Sequence, residues 1–364
     1  MKELSVLIKP SSSLCNLRCR YCFYADVSEN REVASTGIMQ DDMMDILTQR
    51  IHEELPEGGT ANISFQGGEP TVAGVDWFRK FAASMDRFDN IQVNWSMQTN
   101  ATLLTEEFCQ FLHDRKFLLG VSLDGYQTNH DHFRYDAKGK GAFLRVLKGI
   151  RLLKKAGVDY NILTVVTHDL AAHASALYSF YKQQHFEYIQ LIPCLPALGS
   201  TDDPLALKPE DFERFYKEFF NCWFEDALKG NAMSINLFEN LAGMINGYPP
   251  YQCGLIGRCI VQYVIESDGS VYPCDFFCLD ELKLGDLREC SFEQLRSSDR
   301  AKRFIAGSAC RKSPCKDCPH VNLCSGGCRR QNVCYLSDDH CGYRSFLDEA
   351  LPKLAYLTRQ YRNR

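Results

Sequence analysis

The chain has 364 residues, of which 45% are hydrophobic and 24% are charged, values typical of a globular protein with one large and one smaller domain. The formal net charge of −5 excludes the broad basic excess that nucleic-acid binding needs. No stretch approaches the roughly 20 consecutive apolar residues that span a bilayer, and the N-terminal residues lack the features of a secretory signal, so we expect a cytoplasmic protein that binds neither membrane nor nucleic acid.

Six short runs of β-branched and apolar residues are typical of buried strands, and segments with helical periodicity lie between them. The predicted strands are 5–10, 62–68, 94–100, 118–125, 159–167 and 188–195. The predicted helices are 40–54, 74–86, 105–115, 141–156, 171–184 and about 208–229. Strand alternating with helix indicates an α/β fold with a parallel sheet, either a barrel that does not close or an open doubly wound sheet. In both folds, ligands bind at the carboxyl ends of the strands.

Beyond about residue 236 the alternation fades, and 12 of the 18 cysteines occur there. Residues 263–273 predict a hairpin around an Asp-Gly turn, and a final helix is expected from about 343 to 360. We therefore predict two domains, residues 1–235 and 236–364. A reducing compartment disfavours disulfides, so the cysteines indicate metal or redox chemistry.

Three cysteines, Cys15, Cys19 and Cys22, lie within eight positions after the first predicted strand. Thiolates suit zinc and iron–sulfur clusters, but a structural zinc site and a [4Fe–4S] cluster each usually take four protein ligands. The open coordination position is where a reactant binds. The spacing alone leaves a partial zinc site or three unrelated thiols as alternatives. The sequence GGEP after the second strand disfavours both, because it places a second motif at the same edge of the sheet.

The sequence CNLRCRYCFY resembles the cluster loop of the radical S-adenosylmethionine (radical SAM) enzymes. The resemblance implies a partial (β/α)6 barrel, in which SAM chelates the open iron and is cleaved to a 5′-deoxyadenosyl radical. FQGGEP is similar to the family motif that holds the amino group of SAM, where glycines allow close approach and a carboxylate accepts from an ammonium. The residues that the resemblance assigns to the cofactor are Tyr21 and Phe23 in the cluster loop, Gln66, Gly67, Gly68 and Glu69 in this motif, Ser122 and Arg134 at the SAM carboxylate, Gln98 or Asn100 near the ribose, and Leu195 against the adenine.

The C-terminal cysteines resemble the SPASM domain, which in its full form binds two auxiliary [4Fe–4S] clusters. The resemblance implies eight ligands, Cys253, Cys259, Cys274 and Cys328 for the first cluster and Cys315, Cys318, Cys324 and Cys341 for the second. With the N-terminal loop, three [4Fe–4S] clusters are expected. A four-cysteine zinc ribbon is the alternative for Cys315 to Cys328. Seven cysteines remain unassigned, namely Cys109, Cys194, Cys222, Cys278, Cys290, Cys310 and Cys334.

Together, the segments LIKPSSSLCNLRCRYCFY, FQGGEPT, SMQTNATLL, VSLDG and ESDGSVYPCDFF are similar to anaerobic sulfatase-maturating enzymes. The resemblance implies oxidation of a cysteine or serine in an unfolded or nascent sulfatase segment to Cα-formylglycine. The radical takes a hydrogen from Cβ, Asp275 takes the side-chain proton, and an auxiliary cluster accepts the remaining electron. A flavodoxin- or ferredoxin-type reductant is implied as a further partner. For a lone aspartate such as Asp275, capping a turn is the commoner role.

Two alternative functions remain open. One is a SPASM enzyme that crosslinks or otherwise modifies a ribosomally made peptide. Some of those enzymes carry an N-terminal leader-recognition module of one small domain, and the residues before Cys15 are too few for it. The other is a non-catalytic iron–sulfur electron carrier or a zinc-scaffolded binding protein. Neither would need GGEP or a three-cysteine loop, so the sequence favours the enzyme.

Overall fold

The computed structural model describes residues 2–200, 202–307 and 313–362. The strands in this part of the chain are β1 (Glu3–Ile8), β2 (Thr60–Phe65), β3 (Gln92–Thr99), β4 (Leu118–Ser122), β5 (Asp159–Val166), β6 (Tyr188–Pro193), β7 (Ser234–Ile235), β8 (Val264–Ile265), β9 (Ser270–Tyr272) and β10 (Gly285–Asp286).

Helices alternate with these strands and then dominate the C-terminal part. The α-helices are α1 (Phe23–Glu29), α2 (Asp41–Glu54), α3 (Val75–Met85), α4 (Glu106–Asp114), α5 (Gln127–Phe133), α6 (Phe143–Ala156), α7 (His168–Ala171), α8 (Ala174–Gln183), α9 (Pro209–Leu228), α10 (Asn236–Ile245), α11 (Phe292–Ser297), α12 (Asp299–Ala306), α13 (Val321–Cys324) and α14 (Gly342–Arg362). Short 3-10 helices cover Pro70–Ala73, Cys253–Leu255, Asp275–Phe277, Asp280–Leu282, Ser313–Cys315 and Asn332–Cys334.

The chain forms two compact units, each built from separate stretches of sequence. Unit 1 consists of Met1–Ser122, Asp131–Tyr160 and Ile260–Ile305. Unit 2 consists of Leu123–His130, Asn161–Cys259 and Ala306–Arg364. Residues from the cysteine-rich part of the sequence are therefore present in both units.

Unit 1 is organised around β1, in the strand order β10-β9-β8-β1-β2-β3-β4. β1 pairs in parallel with β2 along its whole length and with β8 at Leu7 and Ile8. β2 alternates buried and half-buried residues, because one of its faces covers the core. Its last residue, Phe65, packs in that core against the rings of Trp77, Phe78 and Phe81. The carboxyl ends of β1 and β2 thus emerge side by side.

Unit 2 contains the parallel strands β5, β6 and β7 and the two longest helices. α9 packs along α14, and the buried rings of Phe220 and Phe346 lie 5.8 Å apart between them. Phe238 of α10 completes this aromatic core. α9 also contacts β6, since the Tyr216 hydroxyl donates to the carbonyl of Leu191 at 3.4 Å.

All six predicted strands and the predicted hairpin are present, and the α/β fold with a parallel sheet is confirmed. The predicted helix 171–184 is wrong at its start, because the chain breaks between α7 and α8. The sequence analysis missed the two-residue strands β7 and β10 and the addition of β8 to the edge of β1. No helix of the described residues combines the length and the apolar character needed to cross a bilayer.

Candidate active site

The three N-terminal cysteines lie in a loop that connects β1 to α1, and Cys22 occupies the N-cap position of α1. Burial raises the pKa of Cys15 to about 11, and the nearby Cys22 thiol adds to this effect. The Cys15 sulfur accepts a hydrogen bond from the Leu17 amide at 3.4 Å. Cys19 lies 4.0 Å from the guanidinium of Arg134. Half-buried thiols with a cation beside them fit an iron–sulfur cluster, whose ligands must be thiolates.

Two glycines of the GGEP motif allow the backbone after β2 to lie against this loop. A Cβ on Gly68 would stand 2.2 Å from the Leu14 carbonyl oxygen, and one on Gly67 would stand 2.8 Å from the Ser12 carbonyl oxygen. Gly67 also has a φ of +114°, which L side chains rarely adopt. The Gly68 and Glu69 amides donate to the carbonyls of Ser12 and Leu14. In this chain, the glycines therefore position the cluster loop directly.

Glu69 is 1% exposed, and its carboxylate holds neighbouring loops together. Oε1 accepts from the Thr71 amide, the Thr71 hydroxyl and the Thr99 hydroxyl, and Oε2 accepts from the Asn100 amide at 2.6 Å. Burial raises the pKa of this carboxyl group, and these hydrogen bonds counteract the rise. A carboxylate offers about four acceptor positions, so the protein itself uses most of this capacity. The sequence analysis predicted only an acceptor for an ammonium group here.

Asn100 follows β3 and connects it to the cluster loop. Its side-chain amide donates to Asn16 Oδ1 at 2.9 Å, and its Oδ1 accepts from the amide and the hydroxyl of Thr102. Asn16 in turn donates to the Thr102 hydroxyl at 2.8 Å. Asn16 directly follows Cys15, so this network fixes the loop at its first cysteine. Gln98 lies two residues earlier in β3 and is half-buried.

Arg134 is 7% exposed, although an isolated arginine is usually a surface residue. Its guanidinium carbon lies 5.4 Å from the centre of the Tyr21 ring, a cation–π geometry, and its Nη1 faces Cys19. A buried cation beside the cysteine loop suits an anionic group such as a carboxylate. Ser122 is half-buried at the end of β4. Leu195 belongs to unit 2, where it follows β6.

Asp275 is 9% exposed and lies at the start of a 3-10 helix directly after Cys274. The Tyr24 hydroxyl is 2.5 Å from Asp275 Oδ2 and 2.7 Å from Gln66 Oε1, and with its single hydrogen it donates to one of them at a time. Asp275 Oδ1 is buried, and in the described part of the chain no donor makes a hydrogen bond to it. Burial raises the pKa of Asp275, against the lowering effects of Lys9 and Tyr24. Oδ1 forms an ion pair with the Lys9 ammonium at 3.5 Å, and a carboxylate oxygen with one such contact still has a lone pair that can accept a proton.

Lys9, at the carboxyl end of β1, is the centre of a buried charge cluster that we call the Lys9 cluster (Lys9, Arg31, Glu266, Asp275 and Cys278). The Lys9 ammonium lies 3.2 Å from Cys278 Sγ, 3.3 Å from Glu266 Oε1 and 3.5 Å from Asp275 Oδ1. Arg31 contacts the same Glu266 oxygen at 2.6 Å. Burial by itself would lower the pKa of Lys9, but Cys278, Glu266 and Asp275 raise it above its usual value. Two cations thus balance two carboxylates.

The C-terminal cysteines of unit 2 form two neighbourhoods. Burial raises the pKa of Cys253 to about 11, and the thiols of Cys328 and Cys259 contribute to the rise. Burial likewise raises the pKa of Cys324 to about 11, with contributions from Cys318, Cys341 and Cys315. These are three of the four cysteines predicted for the first auxiliary cluster and all four predicted for the second. Cys274 belongs to unit 1, and Cys310 lies outside the described residues.

Within the described residues, no three histidine, cysteine, aspartate or glutamate side chains converge at the distances that a single metal ion requires. In a [4Fe–4S] cluster each cysteine binds a different iron, so its four ligands surround a volume instead of meeting at one point. The donors present are soft thiols, which fit that cofactor. The residues of both neighbourhoods would hold it.

Comparison with known proteins identifies the family. Residues 10–174 match the model of the radical SAM superfamily, and residues 258–319 match an iron–sulfur cluster-binding domain, SPASM. A "Cysteine-type anaerobic sulfatase-maturating enzyme" of Clostridium novyi (strain NT) is 40% identical over 99% of this chain and 98% of its own. This chain belongs to the anaerobic sulfatase-maturating enzymes. A relative of the same name from Clostridium perfringens (strain ATCC 13124) is 39% identical over 97% of this chain and 98% of its own.

The structure of this chain also matches that of a solved relative along nearly its whole length. The structure described as "Native anSMEcpe with bound AdoMet and Cp18Cys peptide" superimposes with a TM-score of 0.91 at 37% identity, covering 99% of both chains. The radical SAM and SPASM assignments and the enzyme class predicted from the sequence are therefore confirmed.

Among the residues of the site that the sequence analysis missed are Tyr24, Lys9, Arg31 and Glu266. Tyr24 follows the Phe23 that was noted in CNLRCRYCFY, and its role depends on contact with the distant Asp275. Lys9 directly follows β1, at its carboxyl end, and the sequence analysis expected ligands to bind at the carboxyl ends of the strands. A charged residue at that position, directly after a buried strand, was a usable signal.

Proposed function

We propose that this chain converts a cysteine of a sulfatase polypeptide to Cα-formylglycine under anaerobic conditions. The observation that carries the proposal is the buried Asp275, held by Tyr24 on one oxygen while the other oxygen has no hydrogen-bond donor among the described residues. A general base needs a lone pair that can accept the proton and a pKa near neutrality, and burial raises the pKa of this carboxyl group. The two relatives at 39–40% identity carry cysteine-type names, which favours cysteine over serine as the substrate.

In the proposed reaction the chain's own residues manage the proton. Oxidation of a thiol to a thioaldehyde removes a hydrogen atom from Cβ, a proton from sulfur and one electron. When bound, SAM and the reduced N-terminal cluster would supply the hydrogen-abstracting radical, and an oxidised auxiliary cluster would accept the remaining electron. We assign the thiol proton to Asp275 Oδ1, which lies 3.5 Å from the Lys9 ammonium, while the Tyr24 hydroxyl holds Oδ2. Hydrolysis of the thioaldehyde then gives the aldehyde and sulfide.

Three [4Fe–4S] clusters are part of the proposal. Cys15, Cys19 and Cys22 would hold the first, with Arg134 and Ser122 at the carboxylate of SAM, the Gln66–Glu69 motif at its amino group and Gln98 or Asn100 near its ribose. The neighbourhood of Cys315, Cys318, Cys324 and Cys341 supports one auxiliary cluster. The neighbourhood of Cys253, Cys259 and Cys328 supports the other. A flavodoxin- or ferredoxin-type protein would supply electrons.

The proposed domain division places the radical SAM part in residues 1–235 and the SPASM part in residues 236–364. The family matches at 10–174 and 258–319 fall within these two ranges. The second candidate function, modification of another ribosomally made peptide, uses the same fold and would differ in the peptide that is accepted.

The deciding experiment offers three peptides to the anaerobically reconstituted protein with SAM and dithionite. The peptides are a sulfatase-derived sequence containing Cys-x-Pro-x-Arg, the same sequence with serine and the same sequence with alanine. We expect mass spectrometry to detect the aldehyde on the cysteine peptide, release of sulfide, and no change in the alanine peptide. Formation of 5′-deoxyadenosine without any aldehyde would instead favour the peptide-modifying alternative.

A further inference from the structure

The hydroxyl group of Tyr343, in the first turn of α14, is buried and makes no hydrogen bond to any described residue. The residue is 5% exposed. A buried hydroxyl without a partner costs about 1–3 kcal/mol, and native proteins rarely keep one without a reason. The orphaned hydroxyl therefore points to an acceptor that binds at this position.

The groups around this hydroxyl are thiols that we have assigned to a cofactor. Burial raises the pKa of Tyr343 well above its usual value, and the thiols of Cys324 and Cys341 contribute to the rise together with the Tyr216 hydroxyl. Such contributions require short separations. Cys324 and Cys341 are two of the four ligands proposed for the second auxiliary cluster. The hydroxyl of Tyr343 therefore lies beside the proposed ligands of that cluster.

The first turn of α14 also directs backbone donors toward one of these ligands. The Arg344 amide donates to the Cys341 sulfur at 3.3 Å. Burial raises the pKa of Cys341, and hydrogen bonds from the Arg344 and Tyr343 amides counteract the rise. The amino end of a helix carries partial positive charge, which favours an anion. This end of α14 is therefore suited to a thiolate ligand, and the Tyr343 side chain belongs to it.

Packing fixes the place of the Tyr343 ring. A Cβ on Gly342 would collide with the Pro209 carbonyl oxygen, so α14 begins in close contact with the start of α9. The Gly342 amide donates to the Tyr335 carbonyl at 2.8 Å. The Tyr343 ring packs against the rings of Phe212 and Tyr335, with centroids 5.6 and 5.3 Å away. All of these residues belong to unit 2. The hydroxyl oxygen thus has a defined position, and its hydrogen can turn toward an acceptor.

We propose that the Tyr343 hydroxyl donates a hydrogen bond to a sulfur atom of the second auxiliary cluster and raises the reduction potential of this cluster. The inference rests on the proposed function, because the cluster is part of it. Reduction adds negative charge to a cluster, so a donor to its sulfur stabilises the reduced state more than the oxidised state. The cluster then accepts an electron more readily.

The test is a redox titration of the anaerobically reconstituted full chain, followed by electron paramagnetic resonance, with iron per chain measured alongside. The signal that is lost in Cys324→Ala belongs to the second auxiliary cluster. For Tyr343→Phe we expect the ratio of reduced to oxidised cluster at a fixed solution potential to fall about tenfold, as for loss of one hydrogen bond to a charged group. In a one-electron couple this is a midpoint about 59 mV lower. The midpoints of the other clusters should not change.

Tyr356→Phe is the matched control, because it removes a hydroxyl from a residue of the same helix that is 51% exposed. Its midpoints should equal those of the unmodified chain. An unchanged midpoint of the second auxiliary cluster in Tyr343→Phe, at equal iron content, would overturn the proposal.

A second variant decides if Tyr343→Phe does not load about twelve irons per chain. Tyr343→3-fluorotyrosine keeps the ring and makes the hydroxyl a stronger donor, so the midpoint should rise, and an unchanged midpoint would again overturn the proposal. About eight irons in the unmodified chain, without any signal that Cys324→Ala removes, would refute the second auxiliary cluster itself and the hydrogen bond with it.

Discussion

The ammonium of Lys9 and the carboxylate of Asp275 lie 3.5 Å apart in the interior of unit 1, although they come from the beginning of the chain and from its last third. Both are almost completely buried. A buried charge costs several kcal/mol unless an opposite charge is close. The Lys9 ammonium therefore stabilises the ionised form of Asp275, whose pKa burial alone would raise further.

Replacement of Asp275 by asparagine should separate SAM cleavage from peptide oxidation. Asparagine has nearly the same volume but cannot take a proton, so we expect 5′-deoxyadenosine to form while the aldehyde product falls by about 10²- to 10⁴-fold. Both products are measured in one chromatographic assay. Asp280→Asn, at an exposed position five residues later, is the control and should retain both activities. Aldehyde formation by Asp275→Asn at the normal rate would refute the assignment of the base.

Replacement of Lys9 by methionine should destabilise the protein. It leaves two buried carboxylates with Arg31 as the only remaining cation of the Lys9 cluster, so we expect the free energy of unfolding to fall by about 3 kcal/mol. Lys80→Met breaks an exposed ion pair with Asp41 and should cost less than about 1 kcal/mol. Urea denaturation under anaerobic conditions compares the two. Equal stability of both variants would mean that the buried charges are not coupled.

Addition of one methyl group at Gly68 should disturb the cluster loop. The new Cβ would stand 2.2 Å from the Leu14 carbonyl oxygen, so Gly68→Ala forces the residues before Cys15 to move. We expect loss of SAM cleavage and of the N-terminal cluster, with iron falling from about twelve to about eight per chain. Gly243→Ala, in α10, is the control, because the new Cβ would have a single contact, at the ordinary distance of 3.9 Å. Full cleavage by Gly68→Ala would show that the close approach is not required.

Iron content should distinguish cluster ligands from structural cysteines. Cys324→Ala removes a proposed ligand and should leave about eight irons per chain. Cys278→Ala removes a fully buried thiol that contacts Lys9, and we expect about twelve irons to remain. Colorimetric iron analysis after anaerobic reconstitution measures both. A drop for Cys278→Ala equal to that for Cys324→Ala would place Cys278 among the ligands.

The sequence predicted the parts of the fold that depend on local patterns. The six long strands are rich in β-branched and apolar residues because each covers the core with at least one face, and the hairpin has a recognisable Asp-Gly turn. Strands β7 and β10 have two residues each, too few for any period to appear. The pairing of β8 with β1 depends on the tertiary fold, which no short window of sequence contains.

The sequence predicted the residues of the candidate site that belong to short motifs. It did not predict the residues whose charge is compensated by a partner far away in the sequence. The cysteine spacings and GGEP were visible in the sequence. The burial of Lys9 and Arg134 was not, because a single cationic residue gives no sign of the partner that compensates it. Glu69 was found, but its four hydrogen bonds to Thr71, Thr99 and Asn100 depend on how loops from two strands meet.

The pairing of β1 with both β2 and β8 determines when unit 1 can be completed during synthesis. β1 and β2 leave the ribosome early, but one edge of β1 stays uncovered until residues 264 and 265 have been translated. An uncovered strand edge is a template for pairing with other chains. Aggregation during overexpression should therefore depend on the time between the synthesis of β1 and the synthesis of β8. Slower translation lengthens that interval, so we expect the yield of folded protein to depend on chaperones that cover the exposed edge of β1.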